Sequence, residues 1–329
     1  MHPDIAIIYN KPAPSRYTAS DEDAAIKGVL NAVAAVENAL LELSCQSFLV
    51  PLSPPLDEAL DTVSRIKASV IFNLFEGFDG QPETEVEIAK GCHNLDIPYT
   101  GNPPEALEIG LDKVLSKNTF KKKGIPTPDF QILDSSSPGE LTINYPVIAK
   151  PSQEDASHGI YIDNVIYSPE SLNSVLERIL LTSGKPALVE EFIDGKEFNA
   201  TVLGNKVLPV SEIVYDLPSE MPRILTFESK WNPDSLYYKQ TQSVCPAKTS
   251  RRDESKIREL SINAYKACGC HGYSRVDIRQ DDYGSFYVLE VNPNPDISPD
   301  AGCAKQAAAA GLTYTELIKI IIEQALDNS

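Results

Sequence analysis

The chain has 329 residues, 42% of them hydrophobic and 23% charged, with 47 acidic against 29 basic side chains for a net charge of −18. That length supplies two or three structural units. The acidic balance argues against nucleic acid, whose binding rests on Lys and Arg neutralising phosphates, and no apolar run approaches the ~18 residues of a membrane span.

Met1–Asn10 carries no basic stretch ahead of an apolar run, so Ile5–Tyr9 reads as a first strand and a cytoplasmic chain is expected. Ser20 followed by Asp21, Glu22 and Asp23 offers a cap and an acidic first turn to a helix reaching about Leu43. Its apolar stripe is Ile26, Val29, Leu30, Val33, Val36 and Leu40. Ser69–Phe75 is short, apolar and β-branched, and reads as a second strand ahead of the loop Glu76–Pro82. The alternation predicts a parallel sheet flanked by helices. Neither GxGxxG nor GxxxxGK[ST] occurs, so a dinucleotide fingerprint and a P-loop are excluded.

One helix is predicted over Pro104–Lys123, ended by Gly124 and by Ile125-Pro126-Thr127-Pro128. Tyr145–Lys150 and Ala187–Phe192 read as strands, and Gly204-Asn205 marks a hairpin between Phe198–Leu203 and Lys206–Val210. The segments Ser274–Arg279 and Phe286–Asn292 predict an antiparallel hairpin across Asp281–Gly284. A two- or four-residue loop places Arg275, Asp277 and Arg279 on the face of Phe286, Val288, Glu290 and Asn292, with Val276, Ile278, Tyr287, Leu289 and Val291 opposite. An Ala-rich helix then stops at Gly311, and Thr313-x-x-Glu316 is a capping box for the last one. The six cysteines lack disulfide-framework spacing and read as reduced small hydrophobes. Cys268-x-Cys270-His271 lacks zinc-ligand spacing.

Asp277, Glu290 and Asn292 are hard oxygen donors, suited to Mg²⁺ bridged to phosphates, with Arg275 beside them for a phosphate or an oxyanion. A solvated face with cross-strand ion pairs fits the same residues equally well. Lys150 ends an apolar strand before a polar loop and Lys113 lies on a nearby helix, although lone lysines are usually surface groups. Glu190 and Glu191 before Phe192-Ile193 can offer hydrogen bonds and an apolar slot to an adenine ring, or be ordinary edge carboxylates.

The order of several short segments is more specific than any one of them. These are Ile97-Pro98-Tyr99-Thr100-Gly101, Leu111-Asp112-Lys113 with Lys117, Gly124-Ile125-Pro126-Thr127-Pro128 and Pro146-Val147-Ile148-Ala149-Lys150-Pro151-Ser152. They continue with Val189-Glu190-Glu191-Phe192-Ile193-x-Gly195-x-Glu197-Phe198, Cys245-Pro246-Ala247, Ser274-Arg275-Val276-Asp277 and Leu289-Glu290-Val291-Asn292-x-Asn294-Pro295. With the closing Gly311-Leu312-Thr313-Tyr314-x-Glu316-Leu317, nearly the whole chain resembles the ATP-grasp superfamily in its D-alanine:D-alanine ligase-like branch.

The resemblance implies an α/β (α+β) ATP-grasp fold: a Rossmann-like preATP-grasp domain over 1–112, then two α+β subdomains, 113–193 and 194–329, that clasp ATP. It implies a cytoplasmic, ADP-forming carboxylate-amine ligase with amino-acid-like carboxylate and amine substrates. It also implies two Mg²⁺ ions, for which Mn²⁺ is a substitute, and a homodimer through the first unit. Lys113 and Lys150 would contact the ATP phosphates under the loop Ser152–Gly159 with Ser157, while Glu190, Glu191, Phe192 and Ile193 would meet adenine and Glu197 the ribose. Asp277, Glu290 and Asn292 would hold the metals, Arg275 would stabilise the acyl phosphate, and Lys230 would reach the transferred phosphate or second substrate.

The sequence departs from the ligase pattern where substrates bind. The opening glycine pair and glutamate are replaced by the loop Asn10–Ser20, with Asp21 and Glu22 as the nearest carboxylates. Glu76-Gly77 stands for His-Gly, Ala156 then Ser157 for the loop serine, Trp231 for a tyrosine and Ala301 for a serine, with Asp296 and Asp300 nearby. Retained activation chemistry with altered substrates is the expectation. An ATP-grasp kinase and a non-catalytic nucleotide-binding regulator are the alternatives.

Overall fold

The computed structural model describes residues 4–12, 19–78, 81–135, 140–153 and 159–327, and leaves the side chains of residues 19–27, 230 and 231 undescribed. Strand β1 (Asp4–Asn10), helix α1 (Ala19–Glu42), β2 (Gln46–Leu52), α2 (Leu56–Ser64), β3 (Val70–Leu74) and α3 (Glu83–His93) open the chain. The strands form a parallel sheet in the order β2-β1-β3. Ile5, Ala6, Ile7 and Ile8 are buried completely because β1 is central and covered on both faces. β2 escapes the sequence reading: it is a half-exposed edge strand containing Pro51, a residue tolerated at edges.

The single helix expected over Pro104–Lys123 is two, α4 (Pro104–Leu111) and α5 (Lys113–Lys122). Asp112 lies between them at φ −94°, ψ 100°, and its carboxylate accepts hydrogen bonds from the amides of Val114 and Leu115 at 2.9 Å. The break is therefore an N-cap, which competes successfully with helix continuation.

A second, antiparallel sheet follows, with β4 (Phe130–Leu133), β5 (Val147–Pro151), β6 (Val165–Ile166) and β7 (Ala187–Glu191) in the order β4-β7-β5-β6. Helix α6 (Leu172–Ser183) lays Leu172, Val175, Leu176 and Ile179 onto it. A short linker, 192–194, leads into β8 (Gly195–Leu203), which pairs with β9 (Lys206–Val207) and β10 (Ser211–Tyr215). Helices α7 (Phe227–Trp231) and α8 (Leu236–Gln240), β11 (Thr241–Val244), α9 (Arg251–Ala267), β12 (Tyr273–Asp281) and β13 (Phe286–Asn292) complete a sheet of order β11-β10-β8-β12-β13. Helix α9 packs behind that sheet, where Cys268 and Cys270 join Ile257, Leu260, Val276 and Ile278 in the core.

The β12–β13 hairpin corrects one expectation. Arg275 pairs with Asn292 and Asp277 with Glu290, as the face assignment requires, but the register shifts after Asp277 so that Ile278 meets Val288 and Arg279 meets Tyr287. Leu289 is the extra residue of a bulge, and residues 282–284 form a three-residue turn with Gly284 at φ 86°. Phe286 and Val288 are therefore in the core and Tyr287 and Leu289 are not.

Helix α10 (Gly302–Ala309) precedes α11 (Tyr314–Asp327), whose capping box forms as expected, with the Thr313 amide donating to Glu316 Oε2 at 2.7 Å. Helix α11 returns to the first sheet, packing Leu317, Ile318, Ile321 and Ile322 with Ile5, Ile7, Phe72, Val36 and Leu40. A polar staple joins the same regions: Asn102, 2% exposed, donates to the carbonyls of Tyr273 and Pro293 and accepts from the amides of His271 and Gly272. Among the described residues no helix is long and apolar enough to cross a membrane.

Candidate active site

Strand alternation builds one cavity between the second and third sheets. β8 buries Phe198, Ala200 and Val202 in the core and turns Glu197 and Asn199 to the cavity; β12 likewise buries Val276 and Ile278 and offers Arg275, Asp277 and Arg279. Ile148, Lys150 and Glu190 come from the second sheet, Phe192 and Ile193 from the linker, Ser211 and Ile213 from β10, and Leu289 and Glu290 from β13. Lys113 on α5 and the pair Ile224-Leu225 close the wall. One end is thus apolar and the other densely charged.

At the charged end, Lys150 Nζ donates to Glu190 Oε1 at 2.6 Å, and Lys117 Nζ forms an ion pair with Oε2 at 2.5 Å. Lys117 also donates to Thr127 Oγ1 at 3.0 Å. Glu190 and Lys117 are 1% and 2% exposed. Burial pushes the Glu190 carboxyl up, but the two ammonium groups outweigh it and hold it at about 2. Burial lowers Lys117, whereas Lys150 is raised because Glu190 and Glu290 together overcome its burial.

Across the cavity, Arg275 donates through Nε to Asp277 Oδ1 at 2.8 Å and through NH2 to Oδ2 at 3.0 Å, and Asn199 Nδ2 donates to Oδ1 at 2.7 Å. Glu290 stands 3.9 Å from Arg275 NH2 and 4.0 Å from Lys113 Nζ. Burial raises the Asp277 carboxyl, Arg275 opposes that, and Glu290 pushes it up further. Two like-charged carboxylates at directly opposed strand positions are a costly arrangement that a cation relieves.

Ten of the residues singled out from sequence line this cavity: Lys113, Lys150, Glu190, Glu191, Phe192, Ile193, Glu197, Arg275, Asp277 and Glu290. Asn292 lies opposite Arg275 on the hairpin, with its Oδ1 accepting the Asn294 amide at 2.9 Å. Glu76 is exposed at the end of the first sheet, where its amide donates to Asn10 Oδ1. Asp296 and Asp300 are exposed; Asp296 Oδ1 accepts from the amide and hydroxyl of Ser298, and neither caps α10, which Ala301 precedes without a side-chain bond. Ser157 and the side chains of Glu22, Lys230 and Trp231 lie outside the described residues. Sequence reasoning missed the roles of Lys117, Asn199, Leu289 and the Ile224-Leu225 pair. Lys117 carried a signal as the second lysine of the segment after Leu111, and Leu289 as the first residue of the segment that holds Glu290 and Asn292.

The chain is similar to known proteins over most of its length. The chain is 33% identical over 261 residues to an uncharacterised protein of Sinorhizobium fredii, covering 78% of this chain and 75% of that protein. It is 31% identical over 281 residues to the D-alanine–D-alanine ligase of Alcanivorax borkumensis, covering 85% and 84%. A family model described as D-ala D-ala ligase C-terminus matches residues 119–323. The chain belongs to the D-alanine–D-alanine ligase family. It is accordingly a D-alanine–D-alanine ligase-like, ATP-dependent ligase. Its fold is that of the crystallised D-alanine–D-alanine ligase of Bacillus anthracis in complex with ATP, with a TM-score of 0.76 at 21% identity over 99% of this chain and 98% of that one. The ligase-family match takes in Lys150, Glu190, Arg275, Asp277 and Glu290, while Lys113 and Lys117 on α5 lie just ahead of it.

Proposed function

We propose that this ligase uses ATP and Mg²⁺ to convert a carboxylate into an acyl phosphate, which an amine then attacks to form a peptide or amide bond. The observation that carries the reading is the cavity itself: an apolar end beside three cations, Lys113, Lys150 and Arg275, and two facing carboxylates, Asp277 and Glu290. An ATP molecule has the same polarity, a flat base at one end and phosphates at the other. Ile148, Phe192, Ile193 and Ile213 line the base end, with Glu191 at its edge and Glu197 next to it for the ribose. Lys113 and Lys150 neutralise phosphate charge, and Glu190, read from sequence as an adenine contact, is better suited to holding Lys150 and Lys117 in place.

The donor set suits a hard cation. Among the described residues no group of three His, Cys, Asp or Glu side chains is placed to hold a metal, so Asp277 and Glu290 need the Asn292 amide oxygen and phosphate oxygens to complete a shell. Mg²⁺, or Mn²⁺ in its place, would supply charge neutralisation for the transferred phosphoryl group, and a pair of such ions belongs to the same proposal. Arg275, at the edge of that pair, then stabilises negative charge on the phosphate and on the tetrahedral carbon's oxygen. Lys230 would reach the transferred phosphate or the second substrate, Trp231 would meet substrate beside it, and Asp21 or Glu22 would meet the first substrate. A cytoplasmic location, and a homodimer through the first sheet, belong to the same proposal.

The acceptor is the finer question. Glu76 and Ala301 replace a histidine and a serine suited to an amino-acid carboxylate, and Asp296 and Asp300 add negative charge. We therefore expect an amine acceptor with a cationic or neutral second group. ADP release measured over carboxylates and amines, singly and in pairs, tests both levels. ADP that appears only with a carboxylate and an amine together supports the ligase; ADP with a hydroxyl acceptor alone would mean a kinase. Preference for D-alanine over every basic or neutral acceptor would make the chain an ordinary D-alanine–D-alanine ligase with unusual side chains.

Lys150→Ala is expected to raise the ATP concentration needed for half-maximal rate by about 10–100-fold, the range for a lost charge-assisted hydrogen bond. An unchanged ATP dependence would remove Lys150 from the phosphate site.

A further inference from the structure

Arg279 on β12 is 4% exposed and has no task in the chemistry above. Its guanidinium is engaged in three directions. NH1 donates to the Ile193 carbonyl at 3.0 Å, and NH2 donates to Glu197 Oε2 and to the Arg223 carbonyl. The Phe192 and Tyr215 rings lie 5.7 and 5.9 Å from it, and Tyr215 Oη donates to the same Glu197 oxygen at 2.6 Å.

Those acceptors belong to three separate pieces of chain: the linker 192–194 between the two sheets, strand β8, and segment 216–226 that follows β10. Arg223 closes a ring by donating through Nε to Asp194 Oδ1 at 2.8 Å, so linker and segment are joined inside by Arg279 and outside by this half-exposed pair. The segment places Ile224, 4% exposed, against Ile148, Val165, Phe192 and Tyr237 at the apolar end of the cavity. The linker's far end is pressed onto β12 as well: a Cβ on Gly195 would lie 2.0 Å from the Gln280 carbonyl oxygen, so nothing larger than glycine fits there.

We propose that Arg279 is a positioning residue for nucleotide binding, tying linker, β8 and segment 216–226 into the wall that receives the base. It sets nucleotide affinity and leaves phosphoryl transfer to Lys150, Arg275 and the two carboxylates. The guanidinium is suited to this because its planar fork offers five donors at fixed angles, whereas a lysine in the same place keeps the charge beside Glu197 and gives up the carbonyls. A purely architectural role would lower the melting temperature and leave the affinity of the folded protein unchanged.

The inference rests on the reading of this cavity as an ATP site, and the experiment separates the two. ADP affinity is measured by calorimetry without metal, alongside amide exchange of residues 217–225 and steady-state kinetics, for wild type, Arg279→Lys and Asp194→Asn. Arg279→Lys is expected to weaken ADP and raise the KM for ATP by about tenfold, with kcat held within about threefold, while the 217–225 amides exchange faster before nucleotide is added. Asp194→Asn, which cuts only the exposed half of the ring, shifts ADP affinity the same way by about two- to threefold. A folded Arg279→Lys that binds ADP as wild type does, or that loses kcat at unchanged KM, overturns the assignment. If Arg279→Lys does not fold, unaltered ADP affinity and exchange in Asp194→Asn overturns it. Wild type that binds neither ADP nor ATP overturns the ATP-site reading along with it, whereas binding by wild type with indifferent variants sinks Arg279 alone.

Discussion

Asp277→Asn and Glu290→Gln are each expected to cut ADP formation by about 10²–10³-fold, the range for removing one group that stabilises charge developing in a transition state. The two carboxylates occupy paired positions on β12 and β13, and Glu290 is one of the causes that push the Asp277 carboxyl up. Neutralising either one removes half of the charge that a hard cation needs, and the amide that replaces it is a weaker donor. Folding is expected to survive, because each variant also relieves repulsion between neighbours. Two readouts check this independently: Mn²⁺ affinity followed by water-proton relaxation, which should weaken in both variants, and thermal unfolding, which should not. Turnover at the wild-type rate in saturating Mg²⁺ would make this hairpin face a structural ion-pair surface.

Glu190→Gln is expected to destabilise the fold by about 3–5 kcal/mol at neutral pH, because it leaves the buried Lys117 and Lys150 without their shared carboxylate. The pH dependence follows from the sign of the shift. The folded-state value near 2 lies below the ~4.3 of an unfolded glutamate, so this contribution is present in full above about pH 5 and is lost as pH falls toward 2. Urea unfolding of wild type and variant between pH 7 and pH 2 should show a gap that narrows through that window. A gap that stays constant down to pH 2 would mean that the cluster is not held by the Glu190 charge. Lys117→Met provides a second handle, since it leaves one carboxylate facing one ammonium and should cost less than Glu190→Gln.

What the sequence determined by itself is local or ordered along the chain. The buried run of β1, the turn at Gly204-Asn205 and the Thr313–Glu316 capping box each depend on residues a few positions apart, and each forms; of the apolar stripe expected on α1, Val33, Val36 and Leu40 are buried but Leu30 is 44% exposed. The order of short segments from Ile97 to Leu317 sufficed to indicate the ligase family and the ATP-grasp fold. Pairing parity put Asp277 opposite Glu290, although a bulge at Leu289 and an odd-numbered turn were both needed to keep it so, and neither has a local signature. Only the tertiary structure decided that Glu190 faces Lys117 as well as Lys150, because that cluster joins α5, β5 and β7 across the second sheet's end. The same is true of α11 packing on the first sheet and of Arg279 reaching carbonyls on two other segments. In each case the deciding energy comes from burying a charge or an apolar face against partners far along the chain, and periodicity within one segment contains no term for them.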